Sequence, residues 1–253
     1  MDLGLAGKVV LITSGSRGIG SRAWPKVRKW RSSRVIRPTS RGRASKQLAS
    51  DGHHVHLARA DLHEARSAED VVEEASAALG PIDTSPLRSR FARCRRLQAA
   101  MDAKYFPYVY PQQVVLKRMA ERLKHDPNAI VNIIGMGGKI ASDIHIAGGA
   151  ANAALMLNTV GLAHHYAKLG IRINAINPGS TLTERVEEAL APEAQKGGVT
   201  RDQALDEGQR KVPFGRFARP EEIADVALFL ASRRANYVSG ALIPMDGVSS
   251  PII

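Results

Sequence analysis

Residues 8–20, KVVLITSGSRGIG, decide the fold because they join a buried strand to a glycine-rich turn. The run Val9–Ile12 is short and continuously apolar, which is typical of a parallel strand covered on both faces. A strand that leads through such a turn into a helix presents bare backbone N–H groups and a helix N-terminus to a phosphate. The spacing of its glycines is not the GxGxxG of the common dinucleotide-binding motif. The alternative is therefore a turn that only joins the strand to the helix.

Length and composition indicate one α/β domain. The chain has 253 residues, 44% of them hydrophobic, which is enough for a full core. It contains no run of about 18 apolar residues, so we expect no membrane span. Because the first strand begins at Lys8, we expect no signal peptide. The single cysteine, Cys94, excludes an internal disulfide and fits a reducing cytoplasm, where we expect the protein to be located.

The formal net charge of +12 is concentrated in two segments. Residues 21–46 hold ten Lys and Arg and no acid, and residues 84–98 hold five Arg and no acid. Together they carry +15, so the other residues carry a net −3. One interpretation is a basic patch for phosphate or nucleic acid, with Trp24 and Trp30 as stacking platforms. The other is a divergent or mistranslated stretch between regular elements.

Both basic segments interrupt elements that the fold needs. Pro25 falls in the second turn of the helix expected after the glycine-rich turn, at a cost of about 3 kcal/mol. The pair Val35-Ile36 indicates a second strand, which Arg37-Pro38 is expected to cut short. Ile82-Asp83 should open a further strand, but residues 84–98 intervene. We therefore do not expect nucleic acid as a partner.

Elsewhere, strands and helices alternate along the chain. Strands are predicted at residues 54–58, 129–134, 171–176 and 241–245, and helices at 67–79, 101–124, 149–169, 182–192, 202–211 and 220–231. A capping box of Ser67 and Asp70 should start the first helix, and Pro107 and Pro111 should kink the second. The predicted inward face of the 149–169 helix holds Leu155, Leu157, Val160, Leu162, Tyr166 and Leu169.

This alternation predicts a Rossmann-like, doubly wound parallel sheet with helices on both faces, in a single domain covering residues 1–253. In such a sheet, ligands bind beyond the carboxyl ends of the strands, where the strand order reverses. The glycine-rich turn follows the carboxyl end of the first predicted strand, so it is a candidate part of that site.

Several motifs, in order along the chain, resemble the short-chain dehydrogenase/reductase family. The turn is similar to the family's TGxxxGxG sequence, with Thr13, Gly18 and Gly20 in register and Ser14 at the first glycine. INPGSTLTERV at residues 176–186 resembles the segment that closes over the nicotinamide. FARPEEIADVALFLAS and YVSGALIPMDG, within residues 217–247, resemble the family's last helix and strand. These matches run from Lys8 to Gly247.

The resemblance implies that the chain binds NAD(P)(H) and forms a homotetramer or homodimer. It assigns cofactor contacts to the turn, to the pair after the third strand, to the end of the fifth strand and to the segment after the sixth. These residues are Thr13, Ser14, Ser16, Arg17, Gly18, Ile19, Gly20, Asp61, Leu62, Ile134, Pro178, Gly179, Thr181 and Thr183.

Two residues favour NADP over NAD, although NAD remains possible. Arg17 resembles the arginine of members that prefer NADP, whose 2′-phosphate a guanidinium can contact with charge-assisted hydrogen bonds. The acid that would select NAD should fall near Pro38, and no acid is there. The alternative interpretation of Arg17 is a solvated loop charge.

The family's catalytic residues are all replaced. Reduction of a carbonyl needs a group that gives a proton to the oxygen, and the resemblance assigns this chemistry to a Tyr, a Lys, a Ser and an Asn. When the predicted strands and helices are aligned with the family's, these four positions fall on Gly148, Asn152, Gly135 and Lys104, respectively. The family's mechanism therefore does not carry over to this chain without change.

His145 is the candidate for the missing proton donor, three residues before Gly148. An imidazole titrates in a useful range and could reach into the space that the glycines vacate. Lys104 or Lys139 could then hold the carbonyl oxygen electrostatically. The alternative is that His145 is a surface loop residue and the protein is an inactive nucleotide-binding homologue with a regulatory or structural role.

The sequence thus predicts an NADP-dependent oxidoreductase that acts on a small carbonyl/alcohol pair. No metal site is predicted, because the adjacent His164 and His165 point about 100° apart on a helix. The identity of the substrate is not encoded in any motif.

Overall fold

Seven parallel strands form one sheet in the computed structural model, which describes residues 9–11, 34–38, 55–58, 65–87, 97–121, 128–140 and 145–251. The strands are β1 (Val9–Leu11), β2 (Arg34–Pro38), β3 (Val55–Ala58), β4 (Thr84–Leu87), β5 (Asn128–Ile133), β6 (Ile171–Pro178) and β7 (Leu242–Met245). Their order is β3-β2-β1-β4-β5-β6-β7. The order reverses between β1 and β4, where parallel sheets bind ligands at the carboxyl edge.

Seven α-helices connect or follow the strands in the described part of the chain. They are α1 (Ala65–Leu79), α2 (Leu97–Lys104), α3 (Phe106–Ala120), α4 (Ile146–Tyr166), α5 (Glu184–Gly197), α6 (Arg201–Arg210) and α7 (Pro220–Ala231). Short 3-10 turns lie at Met136–Gly138, Ala167–Leu169 and Arg233–Ala235.

The two faces of the sheet are covered by different helices. Along β5, the side chain of Ile130 belongs to an apolar cluster that includes Val71 of α1, Leu116 of α3 and Leu155 of α4. The next residue, Val131, belongs to the cluster formed with α7. Neighbouring strand residues point to opposite faces, so this alternation confirms the predicted Rossmann-like sheet with helices on both faces.

The two basic segments contribute strands that sequence patterns did not predict in full. The expectation that Arg37-Pro38 cuts β2 short is wrong, because β2 runs to Pro38, which pairs with Ala58. Pro38 is the last residue of β2, so its missing N–H falls at the end of the ladder. The expectation that residues 84–98 interrupt the next strand is wrong for their first four residues. These form β4, Thr84–Leu87, which pairs with Ala129–Asn132 of β5.

The helix boundaries also correct two predictions. Helix α1 begins at Ala65, so Ser67 lies within the helix and does not form the predicted N-cap. The predicted helix over residues 101–124 is two helices, α2 and α3, that meet at Tyr105. Pro107 lies in the first turn of α3, where its missing N–H is tolerated, and Pro111 is accommodated inside α3.

Helix α4 buries a narrower face than predicted. Leu155 and Ala163 are buried, but Leu157 is 76% exposed and Val160 is 40% exposed, so the prediction that these two face inward is wrong. At about 100° per residue, Leu157 lies about 200° around the helix from Leu155, which places it on the opposite face.

Among the described residues, one helical segment, Ile146–Leu169, is long and apolar enough to cross a membrane by length and composition alone. A helix that covers the core of a sheet satisfies the same criterion. Here Leu155, Met156 and Ala163 pack in the cluster that also holds Ile171 and Ile173 of β6. We therefore describe α4 as a sheet-covering helix.

Candidate active site

The break between α2 and α3 positions Lys104. Pro107 has no backbone N–H to continue the helix, so α2 ends at Lys104 and α3 starts afresh at Phe106. The side chain of Lys104 is buried, at 4% exposure. Its ammonium nitrogen lies 3.1 Å from Nε2 of His145 and donates to the carbonyl oxygen of Gly148 at 3.4 Å. A buried lysine is thus directed at the predicted proton donor.

His145 immediately precedes α4 and occupies its N-cap position. Its side chain makes no capping hydrogen bond there. The imidazole instead meets Lys104, while the residue as a whole is exposed. His145 therefore connects a buried amine to the solvent side of the fold, which is the arrangement a proton donor needs.

Gly148 makes this contact between Lys104 and His145 possible. A Cβ atom at position 148 would lie 2.5 Å from Cε1 and Nε2 of His145 and 2.5 Å from Nζ of Lys104. Such distances are well inside van der Waals contact, so any larger residue would force the pair apart. The position at which the resemblance places a tyrosine is thus filled by the lysine–histidine pair.

Close backbone packing holds His145 beside the end of β5. A Cβ at Gly149 would lie 2.7 Å from the carbonyl oxygen of Gly137, and one at Gly138 would lie 2.7 Å from the backbone nitrogen of Ala153. The first turns of α4 and the 3-10 turn after β5 therefore touch backbone to backbone. Only glycine permits an approach this close.

Two further positions that the resemblance aligns with catalytic residues, Asn152 and Gly135, also meet. Asn152 is buried, and its Nδ2 donates to the carbonyl oxygen of Gly135 at 3.1 Å. A Cβ at Gly137 would lie 3.2 Å from Cδ2 of His145 and 3.7 Å from Nδ2 of Asn152. The structure thus brings Lys104, His145, Gly148, Asn152 and Gly135 into one cluster, whose catalytic role remains a prediction.

The side chain of Lys139 contacts a different part of the structure from that of Lys104. Its ammonium nitrogen donates to the carbonyl oxygen of Leu242 at 3.3 Å, at the start of β7. From the sequence, either Lys104 or Lys139 could hold the substrate oxygen. The contact with His145 favours Lys104.

The predicted cofactor contacts that the structure describes lie at the carboxyl edge of β5 and β6. Ile134 is buried, and its backbone N–H donates to Ile176. Thr181 lies just past β6, where its hydroxyl donates to the carbonyl of Gly179 at 3.2 Å. Thr183 is the N-cap residue of α5, yet its side chain makes no capping hydrogen bond. A hydroxyl at a helix N-terminus that is not used as a cap is suited to contact a ligand.

The remaining predicted cofactor residues lie outside the described residues. They are Thr13, Ser14, Ser16, Arg17, Gly18, Ile19, Gly20, Asp61 and Leu62. Their assignment to the cofactor stays a prediction.

A cavity of about 130 Å³ borders the segment after β6, next to the N-terminus of α7. It is lined by Ser180, Val212, Phe214, Arg216, Ala218, Glu222, Met245, Asp246 and Gly247. Arg216 and Glu222 form a bidentate ion pair at its edge, with 2.8 Å between Nη1 and Oε2 and 2.7 Å between Nη2 and Oε1. Sequence reasoning missed this pair, although the motif at residues 217–232 contains the acid and the preceding loop contains the arginine.

Comparison with known proteins identifies related sequences along most of the chain. A family model described as Enoyl-(Acyl carrier protein) reductase matches residues 35–247. The 3-oxoacyl-[acyl-carrier-protein] reductase of Chlamydia pneumoniae is 27% identical over 263 aligned positions, which cover 98% of each chain. An uncharacterized short-chain type dehydrogenase/reductase of Sinorhizobium fredii is 37% identical over 119 residues, which are 47% of this chain and 20% of that relative.

Solved structures share the fold at lower identity. L-sorbose reductase from Gluconobacter frateurii, determined in complex with NADPH and L-sorbose, superposes with a TM-score of 0.87. The two chains are 24% identical, and the match covers 98% of each. At this identity, the similarity establishes the fold of the chain.

Proposed function

Because the chain belongs to the short-chain dehydrogenase/reductase family of oxidoreductases, we propose that it reduces a small carbonyl compound, or oxidises the corresponding alcohol, with NADP(H). The proposal includes His145 as the group that exchanges a proton with the substrate oxygen. Its main support is the 3.1 Å contact between Nζ of Lys104 and Nε2 of His145, among the positions that normally carry the family's catalysis.

The chemistry assigned to the pair is proton transfer with electrostatic support. When bound, the nicotinamide would supply the hydride for the carbonyl carbon. As negative charge develops on the oxygen, His145 provides the proton that completes the alcohol. The ammonium group of Lys104 is buried beside the imidazole, so its charge acts through a poorly screened medium and favours the developing oxyanion.

The cofactor is assigned to the carboxyl edge of the sheet. Ile134, Pro178, Gly179, Thr181 and Thr183 would hold its nicotinamide half, and the uncapped hydroxyl of Thr183 fits this role. NADP is proposed over NAD because of Arg17 and because β2 ends at Pro38 without an acid. L-sorbose reductase, which shares the fold, was determined with NADPH.

The proposal also covers location and assembly. We place the protein in the cytoplasm and assign it a homodimeric or homotetrameric state. The exposed apolar residues of α4, Ile146, Leu157 and Val160, support self-association, because a contiguous apolar face on a helix is stabilised by a partner.

A second candidate is a nucleotide-binding homologue without redox activity. The feature in its favour is that the resemblance places the family's tyrosine, lysine and serine at Gly148, Asn152 and Gly135. In this alternative, the protein binds NADP(H) and acts through a conformational or structural effect on a partner.

Consumption of NADPH, followed by its nicotinamide absorbance, distinguishes the two candidates. The carbonyl panel should include small ketones and aldehydes, L-sorbose and a 3-oxoacyl thioester, the last two chosen from the names of related proteins. We expect turnover with at least one carbonyl and a loss of about 10²- to 10⁴-fold in His145→Ala, the range for a general acid. Binding of NADPH without turnover of any carbonyl would support the second candidate.

A further inference from the structure

The contact between Lys104 and His145 restricts where the imidazole carries its proton. A lysine ammonium has three N–H donors and no acceptor. Nζ of Lys104 lies 3.1 Å from Nε2 and also reaches the carbonyl oxygen of Gly148, which can only accept. If Lys104 donates to both, then Nε2 must present its lone pair, and the proton of the neutral imidazole resides on Nδ1.

The packing around the ring indicates the same nitrogen. The edge that contains Nε2 faces Lys104 and the two glycines, since a Cβ at Gly148 would lie 2.5 Å from Nε2 and Cε1 and one at Gly137 would lie 3.2 Å from Cδ2. A substrate oxygen could approach Nε2 only by displacing Lys104. Because Lys104 already occupies the single in-plane site of Nε2, the substrate contact falls to Nδ1, the second ring nitrogen.

We propose that Lys104 and His145 form a proton relay in which Lys104 holds the imidazole in its Nδ1–H tautomer and Nδ1 is the nitrogen that serves the substrate. This inference rests on the proposed reductase function. It assigns Lys104 a positioning and proton-supplying role that acts through His145, and it distinguishes that role from direct contact with the carbonyl oxygen.

The relay balances protons and charge during reduction. As the hydride bonds to the carbonyl carbon, the oxygen takes the proton from Nδ1. Nε2 takes a proton from Nζ of Lys104 in the same step, so His145 remains neutral and Lys104 becomes a neutral amine. Because Lys104 is buried and His145 is exposed, a solvent proton returns to Lys104 through the imidazole. Alcohol oxidation runs the same transfers in reverse.

Nitrogen NMR of the full-length protein tests the tautomer directly. The chain has eight histidines, so the His145 signals in ¹⁵N-labelled protein are assigned by their loss in His145→Gln. Spectra are recorded near pH 8.5, between the ordinary values of about 6.5 for imidazole and about 10.4 for lysine. We expect a protonated Nδ1 and an acceptor Nε2. A proton on Nε2 would overturn the inference.

Lys104→Met tests whether the lysine imposes this tautomer, because methionine keeps an unbranched apolar stem and removes the donor. We expect the Nε2–H form, which an unconstrained imidazole prefers, to become predominant, and kcat to fall about 10²-fold or more with little change in KM. An unchanged tautomer in this variant would reduce Lys104 to a structural residue and overturn the relay.

Two glycine variants test the same contact without changing Lys104, in case Lys104→Met fails to fold. Gly148→Ala places a methyl group 2.5 Å from Nζ and Nε2, so it should separate the pair and shift the tautomer as Lys104→Met does. Gly161→Ala lies in the same helix, where a Cβ meets nothing within 4 Å, so it should leave tautomer and turnover unchanged. Equal spectra for the two variants would contradict the proposed geometry.

The outcomes separate this inference from the function on which it rests. Carbonyl turnover together with an Nε2–H tautomer would overturn the relay and leave the reductase proposal in place. An Nδ1–H tautomer without turnover of any carbonyl would overturn the reductase function and, with it, the relay.

Discussion

Glu222, at the N-terminus of α7, is a partly exposed carboxyl that its neighbours keep ionised. Arg216 donates to both of its oxygens, and the backbone N–H of Arg219 donates to Oε2 at 2.7 Å. The hydrogen bonds from Arg216, followed by that from Arg219, lower the pKa of Glu222 to about 2. The pair fixes the loop before α7 to the first turn of the helix, next to the cavity at the edge of the sheet.

We expect Glu222→Gln to lower stability at neutral pH in a pH-dependent way. A pKa depressed by folding contributes stability above the ordinary value of 4.5, and this contribution is lost as the pH falls from 4.5 towards 2. Urea midpoints measured from about pH 7 to about pH 3 should therefore converge for wild type and variant. The difference at neutral pH should be small because solvent partly screens the pair.

Glu121→Gln is the control for the Glu222 experiment, since Glu121 is an exposed acid that follows α3. Its urea midpoint should follow that of wild type at every pH. A difference for Glu222→Gln that stays constant or grows on acidification would contradict the assigned ion pair.

The residues of the candidate site could be predicted by register, but their contacts could not. The motifs placed the replaced catalytic positions on Gly148, Asn152, Gly135 and Lys104, and the structure brings these residues together. The choice of Lys104 over Lys139 as the partner of His145 depends on the helix break at Tyr105. Pro107 predicts a kink near this position, but the linear pattern does not indicate which lysine reaches His145.

At the scale of the element, strands within basic segments were the hardest to predict. Residues 34–38 and 84–87 have few apolar side chains and each contains a proline, so periodicity indicated a truncated strand and an interruption. In the structure, β2 and β4 are held by ladders to β1, β3 and β5. Pairing with neighbours overrides local preference in such strands.

Helix α4 has two apolar faces with different partners. Leu155 and Ala163 are buried against the sheet, while Ile146 is 71% exposed and Leu157 is 76% exposed. Sequence patterns assigned all the large residues to one inward face because the helix is apolar almost throughout. The outer face is the one we assign to a second copy of the chain.

We expect Leu157→Glu to dissociate the homo-oligomer, because it introduces a charge into the centre of the proposed interface. Light scattering coupled to size exclusion should then give the monomer mass, while circular dichroism shows a retained fold. Val199→Glu is the control, since Val199 is another exposed apolar residue, at 40%, but lies between α5 and α6. A wild-type protein that is already monomeric would contradict the assigned assembly.

At the scale of the whole molecule, the family fold is retained, and we propose that the residues at its catalytic positions are exchanged together. The chain superposes on L-sorbose reductase with a TM-score of 0.87 at 24% identity. Gly148 admits the pair of Lys104 and His145, and Asn152 bonds to Gly135, so the replacements fit one another. This mutual fit supports the proposal that the site works through Lys104 and His145.

Deuterium transfer from the cofactor tests the central claim most directly. The protein is incubated with the same carbonyl panel and NADPH that carries deuterium at the transferred position of the nicotinamide, and the products are analysed by mass spectrometry. We predict an alcohol with one deuterium on its carbinol carbon for wild type, formed about 10²- to 10⁴-fold more slowly by His145→Ala. NADPH binding by wild type without deuterated alcohol from any carbonyl would contradict the claim.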